Sequence, residues 1–136
     1  MQNEQLVVDL LPEKSAQVEG GFTFHLHSIR AIKTGADPDG VDEAYLAISP
    51  SIGRVNKIWQ KSMKTGDVAQ INKRVSVPTL GRTSLALFDA DTFGADDLIG
   101  IVPKPRPFPS ASRPLRGKVR LSGSGSIYDL TYSVRA

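Results

Sequence analysis

The chain contains no cysteine in 136 residues. That absence removes disulfides, thiolate nucleophiles and zinc sites of the Cys type together. No apolar window approaches the ~18 residues of a membrane-spanning helix. The apolar run Leu6–Leu11 is interrupted by Asp9 and stopped by Pro12, and Met1–Gln5 before it carries no basic residue. A Sec signal is therefore not expected, and a cytoplasmic protein, or one exported without such a signal, is. No long window shows a 3.6-residue apolar period, which leaves little room for helix. Gly-x-Ser-x-Gly, phosphate-loop and Gly-x-Gly-x-x-Gly motifs are missing as well, so no enzyme is expected. Asp89 and Asp97 could form an acid/base pair in principle, but no cleft signature accompanies them.

What is present is ordinary for one globular domain, here taken as residues 1–136: 40% hydrophobic and 23% charged residues, enough to bury a single core. The charge is unevenly placed. Leu87–Gly100 holds Asp89, Asp91, Asp96 and Asp97 without a Lys or Arg among them, and the second cluster, Asp37, Asp39, Asp42 and Glu43, precedes the apolar run Ala44–Ile48. Eight of fourteen acids thus lie in two short stretches; the formal net charge is +3, so the rest of the chain carries +11. Carboxylates about 4 Å apart repel by about 1 kcal/mol in water and more near a protein surface. A hard divalent cation with oxygen ligands, Ca²⁺ foremost, removes that repulsion. An EF-hand is excluded, because a loop starting at Asp89 would put Phe93 and Gly100 where an acid and a bidentate Glu are required.

The apolar pattern is that of short strands. Phe22, Phe24 and Leu26 alternate with Thr23, His25 and His27, and Ile29–Ile32 continues the segment past a bulge or bend. Further strands are expected at Glu43–Ile48, Asn56–Lys61, Val75–Val77, Thr83–Phe88, Leu98–Val102 and Lys118–Leu121. The most regular is Ser126–Arg135, with Tyr128, Leu130, Tyr132 and Val134 on one face. Residues 1–21 read as an N-terminal arm or extra strand, 103–116 as a Pro-rich basic loop, and Ser122–Gly125 as a flexible spacer. The expected fold is an all-β antiparallel sandwich of about eight strands with the acidic loops at one end.

Two acidic loops at one end of such a sandwich resemble the C2 domain. Its first calcium loop reads Asp-x-x-Gly, then a second acid and Pro-Tyr; its third reads Asp-x-Asp, then Asp-x-Ile-Gly. Asp37-x-x-Gly40 with Glu43-Ala44-Tyr45 stands in the first, and Asp89-x-Asp91 with Asp97-Leu98-Ile99-Gly100 in the third. The third loop matches closely; in the first, Glu43 replaces Asp and Ala44 replaces Pro. Asp42-Glu43-x-Tyr45-Leu46, the Asp-x-Asp loop and Tyr128-x-Leu130-x-Tyr132-x-Val134 are also similar to a family of small, C2-like proteins, from about Phe22 to the C-terminus. The resemblance implies calcium ligands at Asp37, Glu43, Asp89, Asp91 and Asp97, with Asp39, Asp42 and Asp96 as further candidates. Asp42 and Glu43 are adjacent, so in an extended segment they point to opposite faces and one of them serves an ion.

C2 domains often carry a cationic strand surface for anionic lipid, and Lys57, Lys61, Lys64, Lys73 and Arg74 are the candidates here. Solvated surface explains them nearly as well, and no interleaved aromatics suggest nucleic acid. His25 and His27 could hold zinc or copper, but no third ligand lies near, so they are taken as surface histidines. Two functions follow: a calcium-binding C2-like module that docks on an anionic phospholipid membrane or a protein partner, or a structural or adhesive sandwich whose loops an ion merely stiffens.

Overall fold

The computed structural model describes residues 21–35, 39–49, 56–78, 81–92, 94–105 and 114–135. They form eight strands, β1 (Phe22–Lys33), β2 (Val41–Ser49), β3 (Asn56–Lys64), β4 (Val68–Val77), β5 (Ser84–Asp89), β6 (Asp97–Ile101), β7 (Leu115–Gly123) and β8 (Ser126–Arg135). No helix occurs among the described residues. The strands make two antiparallel sheets, ordered β4-β1-β8-β7 and β3-β2-β5-β6, the expected sandwich. Residues 1–20 of the expected arm and residues 106–113 of the Pro-rich loop lie outside the described residues.

Period-two patterning puts the core between the sheets. Phe24, Leu26 and Ile29 on β1, Leu46 on β2, Leu85 and Leu87 on β5, Ile99 on β6 and Leu130 on β8 are fully buried. Each such side chain contributes roughly 1.5–3 kcal/mol relative to exposure. Trp59 and Tyr132 are half-buried and pack against this cluster from its margin. β1 keeps one face inward along its whole length only because of a bulge. Phe22, Phe24 and Leu26 face in at even positions and Ile29 and Ala31 at odd ones, and the register slips between Leu26 and Ser28, leaving His27 as the extra residue against β8. Such an insertion resets the alternation by one.

Three expectations are corrected. β4 begins at Val68, seven residues before the Val75–Val77 stub, and Ala69 and Ile71 are buried within the added part. Its alternation is broken at Asn72, which has φ 51° opposite the β1 bulge. β7 extends from Leu115 to Gly123, beyond the expected Lys118–Leu121. Ser122–Gly125 is no spacer: Ser122 and Gly123 belong to β7, and Ser124 (φ 53°) and Gly125 (φ 86°) make a two-residue turn into β8. Positive φ at both central residues suits the right-handed strand twist. The hairpin is clamped to the other sheet, since a Cβ on Gly123 would sit 2.5 Å from the Ile99 carbonyl oxygen and Ser124 Oγ donates to the Leu98 carbonyl at 3.2 Å.

Lys33 of β1 is in register with Ile127 at the start of β8, and Ala44 near the start of β2 with Asp89 at the end of β5. The β1–β2, β3–β4 and β5–β6 connections therefore gather at one end of the sandwich, and both acidic stretches with them.

Candidate metal centre

β5 runs Ser-Leu-Ala-Leu-Phe-Asp, and its apolar residues carry the terminal Asp89 into the interior, where it is fully buried. Asp97 opens β6 directly opposite Asp89, so two carboxylates occupy a cross-strand pair, an arrangement that is unfavourable for like charges. Asp91 follows two residues on. One carboxylate oxygen from each of Asp89, Asp91 and Asp97 lies within 4.8 Å of the others. Ca²⁺ binds oxygens at 2.3–2.6 Å, so two ligands of one ion can be up to about 5 Å apart. Among the described residues, these three aspartates are the acidic group close enough together to hold a metal ion. The reversal between Asp91 and Asp97 includes Gly94 at φ 89°, a conformation that costs glycine little.

The rest of the loop is fixed by its neighbours. Glu43 grips it with main chain: its amide donates to Asp89 Oδ1 at 2.6 Å, and its carbonyl accepts from the Ala90 amide at 2.9 Å. Asp96 closes the loop internally, accepting the Asp91 amide on Oδ1 at 3.0 Å and the Tyr45 hydroxyl on Oδ2 at 2.5 Å. The Tyr45 hydroxyl, with help from the Asp91 amide, holds the Asp96 carboxyl below the usual carboxylate range. Burial and the same bond push the Tyr45 phenol up. Tyr45 stacks on Phe88 with ring centroids 5.2 Å apart, and the Lys57 ammonium sits 4.4 Å from its ring centre, a cation–π contact.

Among the described residues, the other candidates' carboxylates do not join the three aspartates within that distance. Both Glu43 oxygens accept from Ser62 Oγ on β3, at 2.8 and 2.9 Å. Asp39 is exposed and accepts the Val41 amide at 2.9 Å, a turn interaction. Asp37 lies outside the described residues. Asp42 points the opposite way from Glu43, as alternation requires, and is fully buried. Its Oδ2 accepts from Ser126 Oγ at 2.7 Å and from the Tyr128 hydroxyl at 2.8 Å, while Oδ1 finds no hydrogen-bond partner among the described residues. Those bonds cross from one sheet to the other, and they make Asp42 an inter-sheet tie. Burial and the Asp42, Asp89 and Asp67 carboxylates push the Tyr128 phenol up. The first loop is tied to the same end: the Gly35 amide donates to Ser126 Oγ at 3.1 Å, and the Thr34 hydroxyl to the Gly40 carbonyl.

The chain is matched by no protein-family model and no curated protein. Among solved structures it matches one described as the structure of a C2 domain, with a TM-score of 0.50 over 85% of this chain and 99% of that one, at 15% identity. The fold is C2-like. At that identity the likeness speaks for the fold alone. In this C2-like frame the three aspartates belong to the β5–β6 connection at the loop-bearing end.

The cationic candidates are divided between two consecutive edge strands. Lys57, Lys61 and Lys64 are on β3, the edge of one C2-like sheet, and Lys73 and Arg74 on β4, the edge of the other. Arg74 stands in register with the outward His25, and Lys73 with the inward Leu26, so these two also diverge. Tyr45, Ser62 and Tyr128 are the site neighbours that sequence reasoning missed. Asp42 had a readable signal, since it shares its alternation with Ala44 and Leu46.

Proposed function

We propose that this protein is a calcium-binding C2-like module that docks on an anionic membrane surface. The observation that carries the reading is the convergence of Asp89, Asp91 and Asp97 within 4.8 Å at the loop end of a C2-like sandwich. Those three residues would hold the ion, and Ca²⁺ would supply positive charge where the loops are otherwise acidic. Binding then changes the sign of the local field and leaves the basic remainder of the chain to attract anions, an electrostatic switch. Lys57, held over the Tyr45 ring, is a cation close to the loops and available to a lipid headgroup.

Thermal unfolding in millimolar calcium and in EDTA tests the ion. A ligand that binds only the folded state adds RT ln(1 + [L]/Kd), about 2.7 kcal/mol at a hundredfold excess over Kd, which raises the melting temperature by several degrees. Identical melts would rule calcium out. Sedimentation with phosphatidylserine vesicles tests the docking and is expected only with calcium present. Calcium stabilisation without sedimentation would favour the structural or adhesive sandwich.

A further inference from the structure

We propose that the outer face of the β4-β1-β8-β7 sheet carries a separate binding site for a phosphate group, in the hollow between Thr23, His25, Arg74, Ser133 and Arg135. Register builds it. Arg74, His25, Ser133 and Arg116 form one transverse row across β4, β1, β8 and β7, each directly opposite the next, and Thr23 pairs with Arg135 in the row beside it. Directly opposed residues share a face with Cβ atoms ~4.5–5.5 Å apart, so their polar ends reach one small anion together. The hollow, closed at one side by Pro114, measures about 90 Å³. That is well short of the ~300–1,000 Å³ of an organic ligand pocket. It suits a compact anion.

The charge on this face is predominantly positive. Arg30, Lys118 and Arg120 extend the basic rows through their pairing with Asp129 and Thr131. The acid among the described residues there, Asp129, is bound by Arg120 at 2.9 and 3.1 Å. Among the described residues none of Arg74, Arg116 and Arg135 pairs with a carboxylate. The β1 bulge adds a second imidazole: the His27 ring lies 4.2 Å from that of His25, with Nε2 3.2 Å from Ser133 Oγ. Two guanidinium forks, two hydroxyls and an imidazole outnumber what the two oxygens of a carboxylate can accept, whereas a phosphate group offers three terminal oxygens. The groups facing His25 are His27 on β1, Arg74 on β4, Arg135 on β8 and, in the same row, Arg116 on β7, with no acid among them. Partial desolvation first, then His27, Arg74 and Arg135, hold its imidazole below the usual range, and a bound anion reverses the sign of that field.

The test is an NMR titration of the His25 imidazole in EDTA, with inorganic phosphate added at constant ionic strength. EDTA makes the outcome independent of the calcium reading. Phosphate should raise the His25 midpoint by about one unit, equivalent to about tenfold tighter binding to the imidazolium form. Arg74→Gln and Arg135→Gln, both at solvent-facing positions, should each weaken phosphate by about tenfold, the loss of one charge-assisted hydrogen bond, and Lys33→Gln at the opposite end of β1 should not. A midpoint that ignores phosphate, an equal response to acetate, or full affinity in both arginine variants would overturn the site. Glycerol phosphate and phosphatidylcholine vesicles with and without phosphatidate separate a soluble phosphoester from a lipid headgroup, and saturation by either upholds it.

Discussion

Asp91→Asn should have opposite effects in EDTA and in calcium. The three carboxylates lie within 4.8 Å of one another, a separation at which two unit charges repel by roughly 0.9 kcal/mol in water and roughly 3.5 kcal/mol at an effective dielectric of about 20. Neutralising Asp91 removes the pairs it makes with Asp89 and Asp97 and leaves the pair between those two. Because Asp91 is half-buried, solvent screens most of the gain, and about 1 kcal/mol is expected. The substitution leaves the loop's internal bond intact, since the donor to Asp96 is the amide of residue 91 and not its side chain. In EDTA the variant should melt ~3–5 °C above wild type for a chain of this size. In calcium it loses an anionic ligand, and the wild type should become the more stable of the two. Differential scanning calorimetry of both proteins under both conditions reads the crossing. A variant less stable than wild type in EDTA would refute the electrostatic reasoning, and one that keeps its full calcium response would refute Asp91 as a ligand.

Asp42→Ala should cost ~2–4 kcal/mol in urea unfolding, because it strands the buried Tyr128 hydroxyl and cuts an inter-sheet tie. A double-mutant cycle with Tyr128→Phe should show strong coupling, and additive losses would remove Asp42 from that role. Tyr45→Phe should alter the acid limb of the stability curve. The folded Asp96 carboxyl lies below its ordinary value, so its contribution is complete above the unfolded value of about 4 and is lost as pH falls through the folded one. Without the tyrosine hydroxyl that acid-dependent loss should shrink, and melts between pH 2 and 6 check it; an unchanged limb would mean the bond adds nothing.

How much was legible depended on whether chemistry or tertiary contact decided each feature. β8 is alternating and uninterrupted, so its bounds and buried face follow from pattern. The β1 bulge was visible too, since Phe22, Phe24 and Leu26 differ in parity from Ile29 and Ala31. β4 was not, because the positive φ of Asn72 and the adjacent charges of Lys73 and Arg74 break its alternation, and its pairing with β1 overrides them. A Ser-Gly run is compatible with both a loose linker and a tight hairpin; the close approach of Gly123 to Ile99 needs the other sheet. At the candidate metal centre, the three-residue convergence follows from the cross-strand pairing of Asp89 and Asp97. The diversion of Asp96 toward Tyr45, and of Glu43 toward Ser62, depends on strands brought together only in the fold. The opposed directions of Asp42 and Glu43 are simple alternation, but which one faces the core follows from the apolar residues that share its parity.

Glu43 holds the loop from Asp89 to Asp97 with its amide and carbonyl while its carboxylate is engaged elsewhere, by Ser62. The loop's shape is thus insensitive to the side chain at position 43, since any residue but proline supplies the same two backbone groups. Variation there can raise or lower the negative charge at the loop-bearing end without reshaping the loop from Asp89 to Asp97. Evolution, or an engineer, could adjust the local charge at this position while the fold of the site is inherited unchanged.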